Sequence, residues 1–294
     1  MSSAQPVFRF LVAESETPEA RKARRDSVGH SSGETYLDIL RRLAPGATCD
    51  RIQPADADAA LPPGASLTEY DAVFLTGSPL HLYEETPETR RTVDFMRAVF
   101  AAGTPAFGSC AGLQVATVAA GGSVRPNARS PEAGFARRIT PTEAGRTHPL
   151  LAGRPASYDA PAIHTDEVEA LPPGATLLAG NRVTAVQAAE IRFEGGVFWG
   201  VQYHPEIGLD EVAGALRRQA ESLVEAGLAR GDEDVEAFAT QIDALHREPG
   251  RRDLAWRLGL DEQVTDERLR LAELRNFIEA LARFRREVLV VVGK

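Results

Sequence analysis

The 294-residue chain is short of several things, and each shortage excludes something. Two cysteines, Cys49 and Cys110, cannot build a disulfide framework, so free thiols in a reducing, cytoplasmic compartment are expected. Cationic charge is also scarce: Lys and Arg total 33 against 42 Asp and Glu, a formal net charge of −9. An acidic chain repels phosphate backbones and anionic bilayers, which excludes nucleic acid and membrane as expected partners. No apolar run approaches the ~20 residues a spanning helix needs. The start lacks a basic segment ahead of the run Val7 to Ala13, so no signal peptide is expected. A phosphate-binding G-x-x-x-x-G-K-[ST] loop is missing as well. What remains, 43% hydrophobic and 26% charged residues, has the composition of an ordinary globular chain of about one to two domains.

Short apolar runs alternate with helical patterns. Val7 to Val12 and Asp71 to Thr76 read as buried strands, and Ala106-Phe107 starts another. Ser31 and Glu34 have capping-box spacing ahead of Tyr36, Ile39, Leu40 and Leu43, which repeat at helical intervals until Pro45-Gly46. Further helices are expected over 88–102 and 111–120. The polar stretch between the first strand and Ser31 holds Arg21, Lys22, Arg24 and Arg25 and reads as a solvated loop, with an anion-docking patch as the alternative. The segment ALPPGA occurs at 60–65 and again at 170–175, one turn type used twice. Strand–helix alternation implies an α/β fold: an open, mostly parallel sheet with helices on both faces. That domain is expected over 1–228. A helical C-terminal extension is expected over 229–294, with helices near 235–247, 251–259 and 265–289. The last has Thr265 as N-cap and an apolar stripe of Leu274, Phe277, Ile278, Leu281, Phe284 and Val288. The stripe packs on the chain's own body or joins two copies in a homo-oligomer.

Three segments carry chemistry. In Gly108-Ser109-Cys110-Ala111-Gly112-Leu113-Gln114, a cysteine stands at a strand-to-helix turn between small residues, which permit a sharp elbow. A helix N-terminus favours a thiolate and offers N–H groups to an oxyanion. In Val201-Gln202-Tyr203-His204-Pro205-Glu206, strand alternation places His204 and Glu206 on one face, a base with its orienting carboxylate. A His/Glu pair also suits a metal, but no second ligand cluster completes one, and no metal site is expected. Thr76-Gly77-Ser78-Pro79 after an apolar run is, alone, only a turn.

Together and in this order, the three segments resemble the class I, triad-type glutamine amidotransferases. Ile163-His164-Thr165-Asp166-Glu167-Val168 is similar to a segment of the GMP-synthase-type glutaminase domain. The likeness covers about residues 7–225 and implies a flavodoxin-like fold. It implies Cys110 as nucleophile, His204 as base and then acid, and Glu206 as orienting carboxylate. The N–H groups of Ser78 and Ala111 would form the oxyanion hole. Gly77, Gln114 and the main chain at Thr165 would contact substrate, and this half-reaction needs no cofactor. Two departures stand out. Ser109 and Ala111 replace larger apolar residues and reshape the pocket rim, and Ser78 replaces a frequent glycine, disfavouring a flipped peptide. The 88 residues after Glu206 contain no S-G-G-x-D-S loop, so a fused synthetase is not expected. Three functions stay open: a glutaminase supplying ammonia to a separate acceptor subunit, a stand-alone hydrolase of another γ-glutamyl compound, and a silent binding protein on the same fold.

Overall fold

The computed structural model describes residues 7–292, with side chains described as far as residue 283. In chain order the strands are β1 (Arg9–Ala13), β2 (Thr48–Ile52), β3 (Ala72–Leu75), β4 (Ala106–Ser109), β5 (Ser123–Pro126), β6 (Glu132–Pro141), β7 (Tyr158–His164), β8 (Asp166–Ala170), β9 (Ala175–Gly180), β10 (Ala188–Phe193) and β11 (Gly196–Val201). The helices are α1 (Pro18–Val28), α2 (Ser32–Leu43), α3 (Pro87–Ala101), α4 (Ala111–Ala119), α5 (Glu143–Thr147), α6 (Leu209–Arg218), α7 (Ala220–Glu225), α8 (Asp232–Arg247), α9 (Arg252–Leu258), α10 (Glu262–Thr265), α11 (Glu267–Arg270) and α12 (Ala272–Val292).

The main sheet runs β2-β1-β3-β4-β11-β10-β9-β6-β7. Its first five strands are parallel and the rest pair antiparallel, while β5 and β8 form a separate antiparallel pair. The four parallel strands inside the edge strand β2 are almost wholly apolar, as burial on both sides requires, whereas β2 (TCDRI) is polar and partly exposed. Phe10, Phe74 and Phe107 point to one face, which is covered by α2 and α12. Leu11, Val73 and Leu75 point to the other, covered by α3 and α4.

Most expected elements stand within a residue or two of their sequence signals. Ser31 caps α2 in a reciprocal capping box with Glu34. The two ALPPGA copies form the same turn, each closed by an N–H from its last alanine to the proline three residues earlier. Two expectations need correction. The basic stretch is not a solvated loop but helix α1, opened by a Thr17 cap and Pro18. Its cations are also engaged: Arg21 pairs with Asp56, Arg24 with Glu211 and Arg25 with Glu34. The helix expected over 265–289 is two helices, α11 and α12, and Thr265 is not its N-cap: Thr265 ends α10, and Asp266 opens α11 by accepting the Arg268 N–H. Along α12, Leu274, Phe277, Ile278 and Leu281 lie against the chain's own sheet, so those four residues have no face left for a second copy. The Phe284 and Val288 side chains lie outside the described residues.

Candidate active site

Cys110 follows β4, Thr76 to Ser78 follow β3, and Gln202 to Glu206 follow β11. All stand at the carboxyl edge of parallel strands, where open α/β sheets hold ligands. Cys110 has φ 54° and ψ −113°, a conformation that a residue with a Cβ adopts only under strain. Its N–H donates to the Val201 carbonyl at 2.8 Å, tying the elbow to β11. Gly112 lets α4 start this close to β3, since a Cβ there would stand 2.7 Å from the Leu75 carbonyl oxygen. Ala111 opens α4, where a backbone N–H has no acceptor in its own helix.

Strand β11 ends at Val201, so strand alternation is not what brings His204 and Glu206 together. They meet in the irregular segment beyond it. The His204 N–H donates to the Pro161 carbonyl at 2.7 Å, and its ring Nδ1 lies 2.7 Å from Glu206 Oε1. An ionised carboxylate only accepts, so Nδ1 carries the proton and Nε2 is left for Cys110. Burial disfavours the imidazolium, but the charges of Glu206 and Cys110 outweigh it and hold His204 up at about 10. At Gly77 a Cβ would stand 2.6 Å from His204 Cε1 and 3.5 Å from Cys110 Cβ. The segment after β3 thus runs against both side chains because position 77 has none.

A cavity of about 410 Å³ opens onto Cys110 and His204. Part of its wall is formed by Gln114, His164, Thr165, Asp166 and the loop at Leu80 and His81. There the Gln114 amide donates to the Asp166 carbonyl at 3.1 Å and to Gln202 Oε1 at 3.2 Å. The Thr165 carbonyl accepts from the Asn127 N–H at 2.8 Å, and Ser78 Oγ accepts from the Leu80 N–H at 3.1 Å. Helices α1 and α6 form another part of the wall, with Ala20, Ala23 and Ala215 as well as Glu16, Arg24 and Arg218 in the lining. Gly214 on α6 permits that wall, since a Cβ there would meet Val28 Cγ1 at 2.5 Å.

The structure therefore brings Cys110, His204, Gly77, Ser78, Gln114 and Thr165 onto one cavity, while Glu206 stands behind His204 and the Ala111 side chain is buried next to Cys110 without lining it. Sequence reasoning missed the α1 wall, because the basic residues read as loop. It also misplaced Ser109. That side chain does not line the cavity; it is fully buried behind it, against Glu206 and Tyr36.

Residues 39–219 match the family model for glutamine amidotransferase class-I. The chain is 39% identical over 225 residues to a γ-glutamyl-L-1-hydroxyisopropylamide hydrolase of a Pseudomonas species, covering 75% of each protein. It is 32% identical over 148 residues to the GMP synthase of Thermomicrobium roseum, covering 50% of this chain and only 25% of the synthase. Among solved structures, a glutamine amidotransferase from Thermotoga maritima superposes with a TM-score of 0.62 at 18% identity, over 94% of this chain and 99% of that one. Another, from Methylobacillus flagellatus, gives 0.58 at 20% identity, over 94% and 95%. Among the described residues no helix is long and apolar enough to cross a membrane.

Proposed function

The chain belongs to the class I glutamine amidotransferases, and on that premise we propose that it hydrolyses the side-chain amide of a γ-glutamyl compound whose amine is larger than ammonia. The observation that carries this reading is the 39% identity, over three quarters of both chains, to a hydrolase named for such an amide. The cavity supports it: its lining takes in Ala20 and Ala23 of α1 and Ala215 of α6 as well as Gln114 and Thr165, and its volume of about 410 Å³ admits an amine larger than ammonia.

In this mechanism the γ-glutamyl end sits against Gln114 and Thr165. Cys110 Sγ attacks the amide carbon, and the N–H groups of Ser78 and Ala111 take the charge that develops on the oxygen. The tetrahedral species collapses, the C–N bond breaks, and the departing amine takes the proton of His204 Nε2. Water then gives a proton to His204 and attacks the thioester, releasing glutamate and the Cys110 thiolate. Glu206 holds the imidazole in the required tautomer throughout.

Supply of ammonia to a separate acceptor is the second reading, and the GMP synthase matches favour it, although the chain spans about a quarter of those proteins. Purified protein, alone, is given glutamine and γ-glutamyl amides of short alkyl and hydroxyalkyl amines, with glutamate release followed. Faster turnover of a substituted amide than of glutamine is the expected result. Slow glutamine hydrolysis with no substituted amide turned over would move the chain to the second reading.

A further inference from the structure

Behind the candidate site a polar chain runs from Glu206 through Ser109 to Tyr36, a residue outside every segment that carries the family resemblance. Ser109 Oγ is 2.8 Å from Glu206 Oε1, and Tyr36 OH is 2.7 Å from Ser109 Oγ. Tyr36 and Ser109 are both fully buried, and Glu206 is 6% exposed. The direction of donation follows from the groups themselves. Glu206 only accepts, so the single Ser109 proton goes to it, and Tyr36 must donate to Ser109. Burial and the nearby Glu206 charge push the Tyr36 phenol well above its ordinary value, which keeps that proton in place. Glu206 Oε1 thus accepts from both Ser109 and His204, while Oε2 has no partner among the described residues. Apart from the imidazole it orients, Ser109 is the one side chain among the described residues that holds this carboxylate.

Resting on the thioester reading above, we infer that Ser109 and Tyr36 are positioning residues: Tyr36 fixes the Ser109 rotamer, and Ser109 aims the Glu206 carboxylate at His204. Helix α2 thereby reaches the site without touching substrate. It also gives a reason for a hydroxyl at the end of β4, whose other side chains are apolar or absent. Burying that hydroxyl for packing alone gains nothing over alanine.

The test compares Ser109→Ala, Tyr36→Phe and the double variant with wild type in three measurements. These are the thermal midpoint, kcat and KM on a γ-glutamyl amide, and the rate of Cys110 alkylation by iodoacetamide at pH 7, read by mass spectrometry. Ser109→Ala should lower kcat about tenfold or more, with KM changed less than about twofold, and slow alkylation severalfold, because an unaimed carboxylate supports the imidazolium less. Tyr36→Phe should show the same effects in smaller degree. Adding Tyr36→Phe to Ser109→Ala should lower kcat no further. It should recover thermal stability, since both partners of the buried hydrogen bond are then removed together. Variants that lose stability but keep wild-type kcat and alkylation rate would overturn the inference. Alkylation needs no substrate, so it decides the matter even if wild type turns over no γ-glutamyl amide, a result that would defeat only the functional reading.

Discussion

The surroundings of His204 move it far from its ordinary value. Its imidazole is buried, yet Glu206 and Cys110 hold it protonated up to about pH 10. A group raised in the folded state contributes its full stabilisation below its unfolded value, about 6.5, and loses it as the pH climbs through the folded value. The stability difference between wild type and His204→Asn should therefore shrink from pH 6.5 to about 10. Urea unfolding at several pH values measures it, and a constant difference would mean the pairing is not there. The same substitution should lower turnover by about 10³-fold or more, while Glu206→Gln, which removes orientation and charge but no proton carrier, should cost less. Gly77→Ala should abolish activity with little change in stability, because its methyl would occupy the place of the His204 ring edge. At this scale the sequence was most readable where chemistry and backbone make the same demand. The Cys110 elbow is legible from its small neighbours, while His204 and Glu206 are paired in the sequence by a strand alternation that ends at Val201, and they meet in the irregular segment beyond it. Ser109 and Tyr36 were not legible, because their meeting depends on how α2 lies over the end of β4, a contact 73 positions apart in sequence.

Between elements, the governing fact is which sheet face each helix covers. Helix α12 lies where Phe277 meets Phe74, Phe107 and Trp199, with ring centroids 5.6, 5.7 and 5.6 Å apart. The periodicity of α12 announced one buried face but not what covers it, since an apolar stripe has the same spacing in a core and in an interface. The α1 error has a different origin. Thr17-Pro18-Glu19 carries helix-start signals, but four cations in five residues masked them, and their partners Asp56, Glu211 and Glu34 come from elsewhere in the chain. Replacing Phe277 by alanine removes a ring that touches three others and should cost about 3–5 kcal/mol. Light scattering should give the same mass as wild type. A variant of unchanged stability that falls apart into smaller species would place the ring at a subunit contact instead.

Over the whole molecule, the boundary expected at 228 lies beyond the family-matched residues 39–219, and the core runs across it. A second link crosses the same line. Glu273 on α12 receives Arg154 at 2.7 Å on both oxygens, and Tyr203, the residue before His204, at 2.9 Å. Arg154 also lies 4.6 Å over the Tyr158 ring, and Tyr158 hydrogen-bonds Tyr203 at 2.9 Å. The ion pair is almost wholly enclosed, with side-chain exposures of 1% and 0%. Neither charge can be released to water if its partner is removed. Glu273→Ala should therefore cost about 3–5 kcal/mol, as a stranded guanidinium does in an interior. It should also lower kcat, because Tyr203 loses the acceptor that fixes the segment leading into His204. Replacing both residues by methionine removes the stranded charge and should recover most of the stability. Activity should stay low, since methionine gives Tyr203 no comparable acceptor. Denaturant titration and steady-state kinetics on the single and double variants separate the two effects. A double variant as unstable as Glu273→Ala would show that the shape of the pair, rather than its charge, fastens the extension to the sheet. One that regained full activity would show that His204 is placed without help from the C-terminal helix.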